Sequence, residues 1–87
     1  LMMAKCHSQQ KFARFIISLT KRYIDRGIAP DQYKLIMTKT DIGNYLGVSK
    51  ETISRLIKKF YEQDVISIKN NLISILNKKK LYEIANI

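Results

Sequence analysis

Between residues 9 and 26 the apolar side chains fall at Phe12, Ile16, Leu19 and Tyr23, with Ala13, Ile17 and Ile24 widening the stripe. Steps of three and four residues put these groups on one side of a helix, so the spacing predicts a helix with one buried face. Ser8 is its expected N-cap. Gly27 is its expected stop, because glycine enters the left-handed region without a Cβ penalty. Pro30 forces a loop, and the short mixed run Tyr33 to Met37 reads as a strand.

Thr38-Lys39-Thr40-Asp41 has the form of a capping box: the Thr38 side chain accepts from the Asp41 N–H, and Asp41 bonds back. A short helix, Lys39 to Leu46, follows and stops at Gly47. Ser49 then caps a second helix from Lys50 to about Gln63. Ile53, Leu56, Ile57 and Phe60 form one face of that helix, and Glu51, Ser54, Arg55 and Lys58 the opposite one. Ile66 and Ile68, then Ile73 and Ile75, alternate with polar residues on either side of Lys69-Asn70-Asn71. Period two around turn-forming asparagines predicts a hairpin. Asn77 is placed to cap a last helix through Leu81, Ile84 and Ala85. No internal repeat or low-complexity stretch interrupts this order. Helix, strand, helix, tight turn, helix, hairpin, helix describes a winged helix-turn-helix: mainly α with a small β-hairpin wing. The expected domain spans 8–87, with the helix-turn-helix at 39–63 and the wing at 65–76.

The helix-turn-helix is a demanding arrangement. Gly43 must be small because the second helix crosses close over it, and Gly47 must take a turn conformation that a Cβ opposes. Ile42, Leu46, Val48, Ile53 and Leu56 must point inward to lock the crossing. All seven positions are filled accordingly.

Bulk properties narrow what such a unit meets. The 87 residues fit one small domain, and 46% hydrophobic content is enough for a core. No apolar run is long enough to span a bilayer. Sixteen Lys and Arg against seven Asp and Glu give +9 and a pI near 9.9. That excess points to an acidic partner, with DNA or RNA ahead of an anionic membrane surface or a merely solvated basic face. A membrane-surface role would need a helix with an unpartnered apolar side, and each apolar face here has a partner in the predicted fold. A single cysteine, Cys6, makes no internal disulfide and suits a reducing cytosol. The chain starts at Leu1 without a secretory pattern and reads as a domain cut from a longer protein.

The second helix offers the N-terminal part of its polar face to a partner, which is how such helices enter a DNA major groove. Arg55 is the natural reader of guanine, since its planar fork matches the O6 and N7 acceptors. Glu51 is able to accept from cytosine N4 and to pair with Arg55 at i,i+4; a helix-dipole role is its plainer alternative. Ser54 is suited to a thymine or a phosphate. An acid in the middle of a groove-facing basic surface opposes indiscriminate binding, which argues for sequence reading.

The stretch TKTDIGNYLGVSKETISRLIKKF resembles the DNA-binding domain of the CRP/FNR transcription regulators, and more closely its FNR branch. The likeness covers nearly the whole chain. Its most specific part is Asp41-Ile42-Gly43-Asn44-Tyr45-Leu46-Gly47 followed by Glu51-Thr52-x-Ser54-Arg55. The resemblance implies that Glu51, Ser54 and Arg55 read bases and that half-sites are TTGAT-like. It implies phosphate contacts at Lys39, Ser49, Thr52 and the wing residue Lys69. Lys50 and Lys58 are counted with that phosphate set, Lys50 remaining open between groove and backbone. The family wing usually has glycine where this chain has Asn70 or Asn71; asparagine tolerates the left-handed geometry, so the turn is expected to survive.

The family joins this domain to an N-terminal sensor barrel and a long dimerisation helix. Leu1 to His7 is the possible tail of that helix, with Met2, Met3 and Cys6 as remnants of an apolar seam. The FNR branch often senses oxygen or redox state with a cysteine-bound iron–sulfur cluster, which a lone Cys6 is unable to hold. Cys6 and His7 lack the further ligands of a metal site. No cofactor is therefore expected in this chain, and the parent's sensor cofactor is not read from it. Lys59 and Lys78-Lys79-Lys80 add basic charge, and a charge run is usually a solvated face. The five tyrosines do not cluster into a stacking platform and mostly fall at core spacing. No phosphate loop, catalytic triad or paired carboxylates in an apolar setting is present, so an enzyme is not expected.

The leading reading is a sequence-specific DNA-binding domain of a cytoplasmic, nucleoid-associated bacterial regulator. Its parent is expected to be a homodimer on an inverted-repeat site and to contact RNA polymerase, and this chain alone to be a monomer or weak dimer. The alternative is a winged-helix module that docks on polymerase or another regulator.

Overall fold

The protein is described by a computed structural model covering the backbone of residues 2–25, 27 and 31–87, with side chains from residue 8 onward except 25. The Pro30 loop and the side chains of Met2, Met3, Cys6 and His7 lie outside the described residues. With them lie the apolar-seam and metal-pair expectations. Helix α1 runs Met2–Asp25, β1 Gln32–Lys34, α2 Lys39–Leu46, α3 Lys50–Glu62, β2 Ile66–Lys69, β3 Leu72–Ile75 and α4 Lys78–Ala85. This is the predicted order, with two boundary corrections. Ser8 is inside α1 and does not cap it, because Met2 to His7 contains no glycine or proline and several good helix formers. The first strand ends at Lys34 rather than Met37. Lys34 pairs with Leu72, the first residue of β3, so beyond one further backbone bond (Leu35 N–H to Asn71 O, 2.6 Å) no ladder partner remains.

The local signals act as read. Thr38 Oγ1 accepts from the Asp41 N–H at 3.0 Å and Asp41 Oδ2 from the Thr38 N–H at 3.2 Å, completing the capping box. Ser49 and Asn77 cap α3 and α4 through the N–H groups of Thr52 and Lys80. Gly27 is left-handed at φ +78° and donates to Ile24 O, closing α1. Gly47, at φ +76°, ends α2. A Cβ on Gly43 would stand 2.6 Å from the Val48 carbonyl oxygen, so the close crossing demands glycine.

Strand β1 joins the hairpin in a three-stranded antiparallel sheet of order β1-β3-β2, with Tyr33 opposite Ile73 and Ile68 opposite Ile73 on the other side. Asn70 (φ +52°) and Asn71 (φ +65°) form the two-residue turn between Lys69 and Leu72, the left-handed pair that matches strand twist. Phe12, Ile16, Ile42, Ile53, Phe60, Ile66, Ile73 and Leu81 are fully buried, each contributing about 1.5–3 kcal/mol by removal from water. Phe12 and Phe60 meet edge to face, centroids 5.2 Å apart, and tie α1 to α3. Leu46 and Val48 pack against this core half-buried. Two basic residues of α1 serve the fold: Lys11 Nζ caps Leu46 O at 3.3 Å, and Arg14 Nε caps Ala85 O at 2.8 Å. Among the described residues no helix is long and apolar enough to cross a membrane.

The tyrosines divide. Tyr33 is buried, stacks on Tyr23 at 4.4 Å and shares a 3.0 Å hydrogen bond with Thr20. Burial pushes its phenol pKa up, offset by the Thr20 hydrogen bond and helped by Tyr23. Tyr45 and Tyr61 are exposed, contrary to the core assignment.

Candidate nucleic-acid interface

Helix α3 crosses over α2 with Ile53, Leu56 and Phe60 buried and Ile57 half-buried. The 3.6-residue period then turns Glu51, Ser54, Arg55 and Lys58 to the far side, where Glu51, Arg55 and Lys58 are exposed and Ser54 half-exposed. These four predicted residues therefore share one outward strip on the first three turns of a helix.

The first turn is held by a hydrogen-bond ladder. Ser49 Oγ accepts from the Thr52 N–H at 3.1 Å and lies 2.9 Å from Thr52 Oγ1. The Arg55 guanidinium donates to Thr52 Oγ1 at 3.3 Å. With Thr52 Oγ1 accepting from Arg55, its own hydrogen can go to Ser49, which leaves the Ser49 O–H free for an outside acceptor. The i,i+4 pair expected between Glu51 and Arg55 is replaced by this contact. The short reach back to Thr52 orients the guanidinium without neutralising it, and Glu51 keeps both carboxylate oxygens unengaged by Arg55.

A second group of predicted residues meets where α3 faces the wing. Lys39, Ser54, Lys58 and Lys69 line one cleft together with Ile57, Tyr61, Ser67 and Ile68. Lys39 comes from the first turn of α2, Lys58 from α3 and Lys69 from the last position of β2, so three elements each bring one lysine to the wall of a single concavity. Lys39 and Lys50 occupy first-turn positions, where the helix dipole disfavours a cation; helix stability does not account for them. Lys50 lines no part of this cleft, and Ser49, Glu51, Thr52 and Arg55 stand beyond it along α3. Lys78, Lys79 and Lys80 lie in the first turn of α4, and Lys78 lines a different cleft with Lys21, Ile24 and Asp31.

Sequence reading missed Tyr61, Ser67 and Ile68 as cleft-lining residues. Tyr61 directly follows Phe60, and one helical step of about 100° carries it off the buried stripe. That step was the available signal.

Residues 10–84 match the Crp-like helix-turn-helix domain. The chain is 40% identical over 87 residues to the fumarate and nitrate reduction regulatory protein of Vibrio cholerae, covering 100% of this chain and 35% of that protein. It is 39% identical over 85 residues to the protein of the same name from Escherichia coli strain K12, covering 98% of this chain and 34% of that one. Among solved structures it is similar to FixK2 from Bradyrhizobium japonicum, with a TM-score of 0.78 and 24% identity over 88% of this chain and 37% of that one. It is also similar to the Thermus thermophilus Catabolite Activator Protein, with a TM-score of 0.65 and 21% identity over 99% of this chain and 38% of that one. These two structures bear on the fold alone. The chain spans about a third of the length of the curated relatives it matches.

Proposed function

The chain belongs to the Crp-like helix-turn-helix family, with regulatory proteins rather than enzymes as its relatives, and we propose that it reads DNA for a bacterial transcription regulator of the FNR type. The observation that carries this reading is the outward strip of α3, with a reader-type arginine and a carboxylate free of each other, beside a cleft ringed by lysines. In this reading α3 enters the major groove, Arg55 donates to guanine O6 and N7, Glu51 accepts from cytosine N4, and Ser54 packs on a thymine or adds a hydrogen bond. The half-site is TTGAT-like. Ser49, Thr52, Lys39, Lys50, Lys58 and Lys69 hold the phosphates on either side of the groove.

The lysines supply most of the affinity and no sequence information. If Lys39, Lys50, Lys58 and Lys69 each neutralise one phosphate, affinity falls about 10²-fold between 50 and 200 mM salt. In the parent protein, residues 1–7 are read as the tail of a dimerisation helix. Two copies then sit on an inverted repeat about one helical turn apart, in the cytoplasm on the nucleoid, and engage RNA polymerase.

The test is fluorescence anisotropy with two labelled duplexes, one carrying an inverted TTGAT-type site and one the same bases scrambled, at two salt concentrations. A preference for the first that survives the higher salt supports direct readout. Equal binding that collapses with salt refutes the base-reading assignments. Absence of salt-dependent DNA binding favours a protein-docking winged helix instead.

A further inference from the structure

We propose that Tyr61 is a positioning residue for the wing, its ring holding the Lys69 ammonium at the cleft ready for a phosphate oxygen. The inference rests on the DNA-binding reading and adds to it a residue that this reading does not use. Tyr61 is 49% exposed and stands off the buried stripe of α3. Lys69 Nζ lies 5.8 Å from the centre of the Tyr61 ring. At that separation the negative face of an aromatic ring attracts an ammonium. Both residues line the cleft that also holds Lys39, Ser54 and Lys58.

The arrangement answers a physical difficulty. Lys69 is exposed, at the end of β2 and next to the hairpin turn, with a long side chain that samples many rotamers and loses that freedom when it binds. Lys39 and Lys58, around the same cleft, repel its charge outward. A carboxylate would draw it in but would also repel a phosphate, and no Asp or Glu lines this cleft. An aromatic face attracts the cation without adding a formal charge. The ammonium has three N–H donors, so with one side on the ring the others remain for phosphate, and the ring contact persists in the complex.

The experiment is a double-mutant cycle on duplex binding, using Tyr61→Phe, Tyr61→Leu, Lys69→Ala and the Tyr61→Leu/Lys69→Ala pair. Tyr61→Phe keeps the ring and is expected to bind within two-fold of the parent sequence. Tyr61→Leu is expected to weaken binding about two- to five-fold, and this loss should vanish when Lys69 is already alanine. A purely structural role for Tyr61 would give losses that add. Additive losses, or Tyr61→Phe failing as badly as Tyr61→Leu, overturn the proposal; the latter result marks a direct hydroxyl contact with DNA. A DNA-free readout accompanies it: the Lys69 ε-methylene protons should show a ring-current shift in the unaltered protein and in Tyr61→Phe, lost in Tyr61→Leu. Its absence in the unaltered protein also overturns the proposal. Unaltered protein that does not bind duplex in a salt-dependent way refutes the DNA reading itself, whereas normal binding with additive variants removes only the role of Tyr61.

Discussion

Replacing Gly43 by alanine tests the packing that aims α3. The new Cβ would lie 2.6 Å from the Val48 carbonyl oxygen, 3.4 Å from the Ser49 carbonyl carbon and 3.5 Å from the Lys50 nitrogen. Ordinary contact begins near 3.4 Å, so the turn must withdraw by about 0.8 Å, and every atom in the way is backbone. The same turn is bonded to Gly43, whose carbonyl accepts from the Val48 N–H at 2.9 Å and from the Gly47 N–H. Overpacking of this kind costs about 1–3 kcal/mol, and a weakened turn hydrogen bond about 0.5–1.5 kcal/mol more. Alanine returns up to about 1 kcal/mol in helix propensity. The net expectation is a loss of about 1–3 kcal/mol, a large part of the stability of a small domain. Urea unfolding followed by circular dichroism should show a lower midpoint at unchanged slope, and the melting temperature should fall by about 4–8 °C per kcal/mol. Asn44→Ala, at the exposed neighbouring position of α2, is the control and should gain a few tenths of a kcal/mol from propensity alone. DNA affinity should fall further than stability explains, because Ser49 and Lys50 begin the helix being displaced. A Gly43→Ala protein as stable as the parent would refute the close-crossing argument.

Three further outcomes follow from other parts of the molecule. Arg55→Ala should cost about 1–3 kcal/mol on a cognate duplex and flatten discrimination at its guanine; equal losses on cognate and scrambled DNA would remove Arg55 from the readers. Asn71→Gly should raise stability by about 0.5 kcal/mol, since Asn71 is held at φ +65° in a turn that favours glycine at its second position; a lower melting temperature would contradict that turn geometry. Tyr33 has a folded pKa raised by burial, so its contribution to stability is intact below the unfolded value of about 10 and is lost as pH rises through the higher folded value. Tyr33→Phe should therefore cost about 0.5–1.5 kcal/mol near neutrality, by losing the Thr20 hydrogen bond, and should blunt the alkaline loss. Tyrosinate absorbance and circular dichroism titrated together would check this, and an unchanged alkaline midpoint would count against it.

What was legible in the chain is what depends on neighbours within one or two helical turns. The capping box at Thr38 and Asp41, the caps at Ser49 and Asn77, the left-handed stops at Gly27 and Gly47 and the Asn70-Asn71 turn all act within about four residues. They set α2 and the start of α3 at the predicted residues. The outward strip of Glu51, Ser54, Arg55 and Lys58 was legible for the same reason, because helical period alone separates it from Ile53, Leu56 and Phe60. Where a local cue was ambiguous it misled: Ser8 looks like a cap but lies in the unbroken helix from Met2, and only the surrounding backbone decides between the two.

The tertiary structure decided everything that needs a partner distant in sequence. Strand β1 stops at Lys34 because β3, some forty residues later, has no residue beyond Leu72 to pair with it. This leaves Leu35 buried and Ile36 82% exposed on the same short segment. Lys11 and Arg14 act as helix caps only because folding brings Leu46 O and Ala85 O, 35 and 71 residues away, within their reach. Arg55 turns to Thr52 rather than to Glu51, a choice between two local partners that spacing leaves open. The lysine cleft and Tyr61 beneath Lys69 exist because the α2–α3 crossing and the wing bring residues 39, 58, 61 and 69 to one place. The sequence by itself determined which helix faces outward and with what chemistry, since periodicity and capping are local. How that helix is flanked, and which of its charges stay free for a partner, had to wait for packing between residues tens of positions apart.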